Sequence, residues 1–145
     1  MSRPSSPCRM RVGSGVAWEE TYGYSRAIRV GDRIVVSGTT ATGPDGGVVA
    51  PGDAAGQMRY VLDKIETAIV ELGGTLEDVV RTRIYVAQID DWERVAATHG
   101  ERFSKIRPAN TLVRAELIGN GYLVEVEAEA VVSSGRSSGE GSGEE

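Results

Sequence analysis

The chain has one cysteine, Cys8, and one histidine, His99, and these two scarcities remove much of the usual catalytic chemistry. A lone thiol near the N-terminus closes no internal disulfide, which fits a cytoplasmic setting. One His and one Cys cannot build a zinc site, a Ser-His-Asp triad or a Cys-His pair. No metal and no cofactor are therefore expected. No apolar run is long enough to span a membrane, and residues 1–8 lack the hydrophobic centre of a signal peptide. The glycines of Thr42-Gly43-Pro44-Asp45-Gly46-Gly47 match neither a phosphate loop nor a dinucleotide fingerprint. Nucleic acid is an unfavourable partner at a net charge of −5, because phosphate binding needs a basic surface. What is left for chemistry is carboxylate, phenol, hydroxyl, amide and backbone groups.

A length of 145 residues with 40% hydrophobic content suits one domain with a small core. The Ser/Pro/Arg-rich residues 1–12 and the Ser/Gly/Glu-rich residues 133–145 are expected to be disordered tails around a domain at 13–132. Residues 12–18 are expected to hold a short strand. Residues 25–30 and 33–39 read as two strands joined tightly at Gly31-Asp32. Residues 53–72 are the clearest helix. Asp53 caps it, Met58, Val61, Leu62, Ile65, Ala68, Ile69 and Leu72 form one apolar stripe, and Gly73-Gly74 end it. Thr75-Leu76-Glu77-Asp78 reads as a capped turn. A strand at 79–87 is expected to put Arg81, Arg83 and Tyr85 on one face and Val80, Ile84 and Val86 on the other. A second helix runs from Asp90 or Asp91 to Phe103, with Trp92, Val95, His99 and Phe103 inward. His99 is thereby a packed residue rather than a catalyst.

Residues 108–132 read as a β-hairpin turning at Asn120-Gly121. That register sets Leu117 opposite Val124, Ala115 opposite Val126 and Val113 opposite Ala128. It also sets Arg114 opposite Glu127 and Glu116 opposite Glu125. Asn110, Leu112, Arg114 and Glu116 would share a charged face with Glu125, Glu127 and Glu129. Two carboxylates directly opposite are unfavourable unless something compensates them. The order of elements is α+β, with two helices on one face of a mixed sheet.

Pro108-Ala109-Asn110-Thr111, then Val124-Glu125-Val126-Glu127-Ala128, resembles the C-terminal signature of the YjgF/RidA (reactive intermediate deaminase) family. Tyr24, Gly31 and Ser37-Gly38 extend the resemblance over about residues 15–132. The resemblance implies a chorismate-mutase-like fold assembled as a homotrimer, with sheets inward, helices outward and a small-molecule ligand in the clefts. It implies hydrolysis of enamine or imine intermediates, with Glu125 and Tyr24 catalytic and Ser37, Gly38, Asn110 and Arg107 binding substrate. Asn110 stands where deaminating members carry the arginine that clamps a substrate carboxylate. Asparagine supplies only neutral donors there. The expected substrate is therefore an imine, enamine or related reactive metabolite other than the 2-imino acids. The alternative is a non-catalytic trimer that binds or senses a metabolite. Arg107 and Arg114 are the candidates to replace the missing charge. Some members are described as ribonucleases, but this chain offers neither a basic groove nor a catalytic histidine. In the hairpin register Asn110 and Glu125 lie on the order of 20 Å apart, so a shared site needs two subunits, and Glu116 would keep Glu125 partly protonated.

Overall fold

The computed structural model describes residues 8–133; the remaining tail residues, 1–7 and 134–145, lie outside it. One six-stranded sheet is ordered β1-β2-β3-β6-β4-β5. Its strands are β1 (Arg9–Val12), β2 (Ala27–Val30), β3 (Arg33–Thr40), β4 (Val79–Val86), β5 (Ala109–Arg114) and β6 (Val124–Val131). The helices are α1 (Ala17–Tyr22), α2 (Ala54–Glu71) and α3 (Trp92–Phe103). The architecture is α+β, as its pattern of elements indicates, but it has three helices rather than two.

The β2–β3 hairpin forms with Val30 opposite Arg33, and Gly31 takes the positive φ that the turn requires. Helix α2 starts as its sequence prescribes. The Asp53 carboxylate accepts from the Gly56 N–H at 2.9 Å, and all seven residues of the apolar stripe are buried. Leu76–Asp78 form a short 3-10 turn closed by a reciprocal capping box between Thr75 and Asp78. The core lies between the helices and the sheet face carrying Ile34, Val36, Ile84, Val86, Val124 and Val126.

Four local expectations change. Residues 9–12 pair with β2 as the edge strand β1, although their composition reads as tail. The segment after them begins the unexpected helix α1 instead of a strand. In β4 a register shift between Val79 and Arg81 turns Val80 out, leaving it 47% exposed while Val79 is buried. Trp92 is exposed rather than inward, and Thr98 is buried in its stead.

The larger correction is the terminal hairpin. β5 and β6 are not neighbours, because β4 lies between them. β4 pairs with β5 in parallel and with β6 antiparallel. Helix α3 makes the crossover that a parallel pair demands. Residues 115–123 form a loop in which Gly119 and Gly121 have positive φ but Asn120 does not, so the two-residue Asn-Gly turn is absent. Cross-strand charge is consistent with the observed order, though exposed pairs of this kind contribute little. With β4 beside β6, Arg81 faces Glu129 and Arg83 faces Glu127, opposite signs in each case. The Arg81–Glu129 and Arg83–Glu127 ion pairs measure 3.4 and 3.8 Å. The hairpin would instead have opposed two carboxylates.

The faces of β5 are consequently exchanged. Asn110 pairs with the buried Thr82 and lies on the helix side, while Thr111 and Val113 share the open face with Arg83 and Tyr85. Arg114 faces Val86 and has no pairing with Glu127.

Candidate functional site

A cavity of about 390 Å³ opens where β3 ends and β6 begins, and Tyr24, Gly38 and Glu125 meet in its wall. Val16, Ala17 and Trp18 from the start of α1 close one side, while Ile118 and Tyr122 of the loop before β6 close another. The volume is that of a small-molecule site.

Gly38 explains how Glu125 enters the cavity. The register of β3 against β6 shifts between Val36 and Thr39, which brings Gly38 against the Glu125 side chain. A Cβ at position 38 would stand well inside contact distance of Glu125 Oε2 and 3.2 Å from Cδ. Only glycine leaves room for this carboxyl. Burial pushes the Glu125 carboxyl above its ordinary value; nearby Arg26 opposes the shift and Glu127 adds to it. Glu116, exposed in the 115–123 loop, is not paired with Glu125 and is not the cause.

Two basic side chains, Arg26 and Lys64, sit in the same wall, and the sequence analysis named neither. Arg26 is 8% exposed. Its Nη2 donates to the Gly38 carbonyl at 2.6 Å, its guanidinium carbon lies 6.0 Å from the centre of the Tyr24 ring, and its Nε has no hydrogen-bond partner among the described residues. Burial lowers its pKa while Glu19, Tyr24 and Glu125 raise it. An arginine stays charged under such a shift. Lys64, on α2, donates through Nζ to the carbonyls of Thr40 and Thr42, each at 3.1 Å. Burial and then Arg26 push its pKa down, opposed by Glu19. A signal was available: Gln57 and Lys64 are seven residues apart on α2, along the margin of its apolar stripe.

The remaining expected residues lie elsewhere. Ser37 Oγ donates to the Ser25 carbonyl at 2.7 Å and ties two strands instead of facing the cavity. Arg107 is exposed with a positive φ of 57°. Asn110 Nδ2 donates to Thr82 Oγ1 at 2.9 Å. The Thr82 hydroxyl also lies 2.8 Å from His99 Nε2, and the direction of that hydrogen bond follows the His99 tautomer. His99 also stacks on Phe103 with centroids 4.5 Å apart, and burial lowers its pKa. Asn110 and Glu125 are three residues apart along the ladder, two strands apart across it and on opposite faces, roughly 14 Å by ordinary strand spacings.

Among the described residues no cluster of His, Cys, Asp and Glu could hold a metal, and no helix is long and apolar enough to cross a membrane.

The class is a small α+β domain with a ligand-sized cavity at the strand ends, its wall bearing one shifted carboxyl and two half-buried or buried basic side chains. Comparison with known proteins makes this specific. The family model described as endoribonuclease L-PSP matches residues 15–132. The chain is 46% identical to a crystallised Mycobacterium tuberculosis member of the YjgF/YER057c/UK114 family, with a TM-score of 0.78, covering 86% of this chain and all of that one. It is 40% identical over 121 residues to an uncharacterized Streptomyces coelicolor protein, covering 83% of this chain and 90% of that protein. A RutC family protein of Pyrococcus abyssi is 32% identical over 105 residues, covering 72% and 83%. The chain belongs to the YjgF/RidA family.

Proposed function

We propose that this protein is a small-molecule hydrolase acting on an imine, enamine or related reactive metabolite. The observation that carries the reading is the half-buried Glu125 carboxyl in the same cavity as Tyr24, given room there by the glycine at position 38. Hydrolysis of a C=N bond needs a proton donor for the leaving nitrogen and an acceptor for the attacking water. A carboxyl whose pKa is raised by burial serves both steps. Tyr24 contributes a phenol at the mouth of the cavity, and the enclosing side chains position the reacting atoms.

The substrate in this reading carries no carboxylate to be clamped. Asn110 offers only neutral donors, and in its own chain they are directed at Thr82. Arg26 is engaged by Gly38 and faces Glu19 and Glu125, while Lys64 is engaged by two carbonyls. Assembly as a homotrimer through the open sheet face is part of the proposal. It would neutralise the exposed ion pairs of that face and bring Asn110 and Arg107 of one copy toward the Glu125 cavity of the next.

The test is ammonia release from imines generated in place: uncharged imines from an amine oxidase, and imino acids from an amino-acid oxidase. Acceleration of the uncharged class above buffer, abolished by Glu125→Gln, is the expected result. Saturable binding of a small metabolite with no acceleration for either class would overturn catalysis in favour of a metabolite-binding or sensing role.

A further inference from the structure

Lys64 has no part in the hydrolysis just described, yet it occupies a wall of the cavity that contains Glu125 and Tyr24. The bland role is a tether holding the end of β3 and the segment after it against α2. The bonding pattern suits something more. A neutral amine has two N–H donors and one lone pair, and Lys64 Nζ makes two hydrogen bonds, to the carbonyls of Thr40 and Thr42. A neutral Lys64 thus keeps both bonds and holds its lone pair in one fixed direction. Glu19 and Glu125 are the nearby anions, and neither is ion-paired with Nζ among the described residues. The adjacent cation, Arg26, is fixed by Gly38 and remains charged. Tyr60, on the same helix, offers its ring face at 5.9 Å.

We propose that Lys64 is an imine-forming residue, its Nζ adding to the carbonyl or iminium carbon of a small electrophile held in the cavity. Desolvation and the neighbouring Arg26 guanidinium favour the free amine, the form that attacks, while Glu19 and the Tyr60 ring face oppose them. The Nζ lone pair forms a bond to the imine carbon, and a proton passes from Nζ to the substrate nitrogen. Ammonia leaves as the C=Nζ bond forms. Water then adds to the same carbon, the C–Nζ bond breaks, and a carbonyl product departs with Lys64 restored. Nothing is oxidised or reduced. Glu125, in the same cavity, is the group placed to carry the protons. The proposal rests on the cavity and substrate class given above, but its test does not require turnover.

The chain contains only two lysines, and the other, Lys105, is exposed, so it provides an internal control. The full-length protein is treated with propanal and sodium cyanoborohydride at pH 7, and the reduced adducts are located by peptide mass mapping. The expected result is reductive propylation of Lys64 at least about tenfold faster than of Lys105, because near pH 7 an ordinary lysine is almost wholly protonated. The preference should shrink by pH 9–10. Lys64→Arg keeps the donors to Thr40 and Thr42 and should lose the fast adduct, while Lys105→Arg should retain it. Lys64 reacting no faster than Lys105 at pH 7 overturns the proposal and leaves the tether. Trapping at Lys64 without ammonia release in the hydrolysis assay keeps the covalent site and removes the hydrolase reading; ammonia release without trapping does the reverse.

Discussion

Gln57 is fully buried at the margin of the apolar face of α2, and its replacement by leucine tests how the cavity wall is built. The Gln57 carboxamide oxygen accepts from the Leu123 N–H at 2.9 Å, and Nε2 donates to the carbonyls of Gly121 at 3.0 Å and Ala50 at 3.3 Å. One side chain therefore anchors the 115–123 loop just before β6. Leucine is close in volume, so the change opens little space. Its cost is the orphaned polar groups. The Leu123 N–H loses its partner, while the Gly121 and Ala50 carbonyls lie nearer solvent and partly regain water. At about 1–3 kcal/mol for each unmet buried group, the total is about 2–4 kcal/mol. For a domain of this size that is a fall in Tm of about 6–15 °C. The loop also carries Tyr122, whose hydroxyl accepts from Thr42 Oγ1 at 2.8 Å, and the Thr42 carbonyl in turn holds Lys64. Loosening the loop should disturb the cavity as well as the fold. Calorimetry gives the first quantity. Amide hydrogen exchange gives the second, with protection lost at Leu123 and kept in the middle of α2. A Gln57→Leu protein melting within 2 °C of the parent with the Leu123 amide still protected would refute this account.

Gly38→Ala should cost under about 1 kcal/mol, because the clash is with the end of a flexible side chain that can swing away; the displaced Glu125 should lower imine hydrolysis by about a hundredfold or more. Melting and ammonia assays read the two effects separately, and a large loss of stability with turnover intact contradicts the assignment. The folded pKa of His99 lies below its ordinary 6.5, so the unfolded chain takes up that proton first. Its contribution to stability is full above pH 6.5 and declines as the pH falls through that value and below. His99→Leu should flatten the dependence of Tm on pH between 7 and 5; an unchanged slope would show that burial does not disfavour the charged imidazole. Sedimentation should give a species three times the 15.4 kDa chain mass, and a stable monomer at micromolar concentration would remove the shared cleft.

Local chemistry carried much of the fold into view. The stripe from Met58 to Leu72, the Asp53 cap, the Thr75–Asp78 box and the Gly31-Asp32 turn each depend on residues within a few positions of one another, so their spacing is enough to specify them. The alternation of β6 was equally legible, with Val124, Val126, Ala128 and Ala130 buried and the glutamates between them turned to the other face. What the alternation does not contain is the identity of the neighbouring strand. A period of two is satisfied by β5 or by β4 beside β6, and the observed order sets Arg81 and Arg83, some forty residues away, opposite Glu129 and Glu127. The family signature marked Tyr24, Gly38 and Glu125 as neighbours of a ligand, and the fold gathers them around one cavity. Arg26 and Lys64 join them only because β2, the register-shifted β3 and α2 meet at that wall, where the chain's own carbonyls hold both side chains. The sequence by itself determined α2, α3 and the strands β2, β3, β4 and β6, with the apolar faces of α2 and β6, but neither β1 nor α1 nor the facing of β5. Tertiary structure decided strand order, the side of the sheet on which Asn110 lies and the cations at the cavity, because those depend on charges and backbone groups brought together from distant parts of the chain.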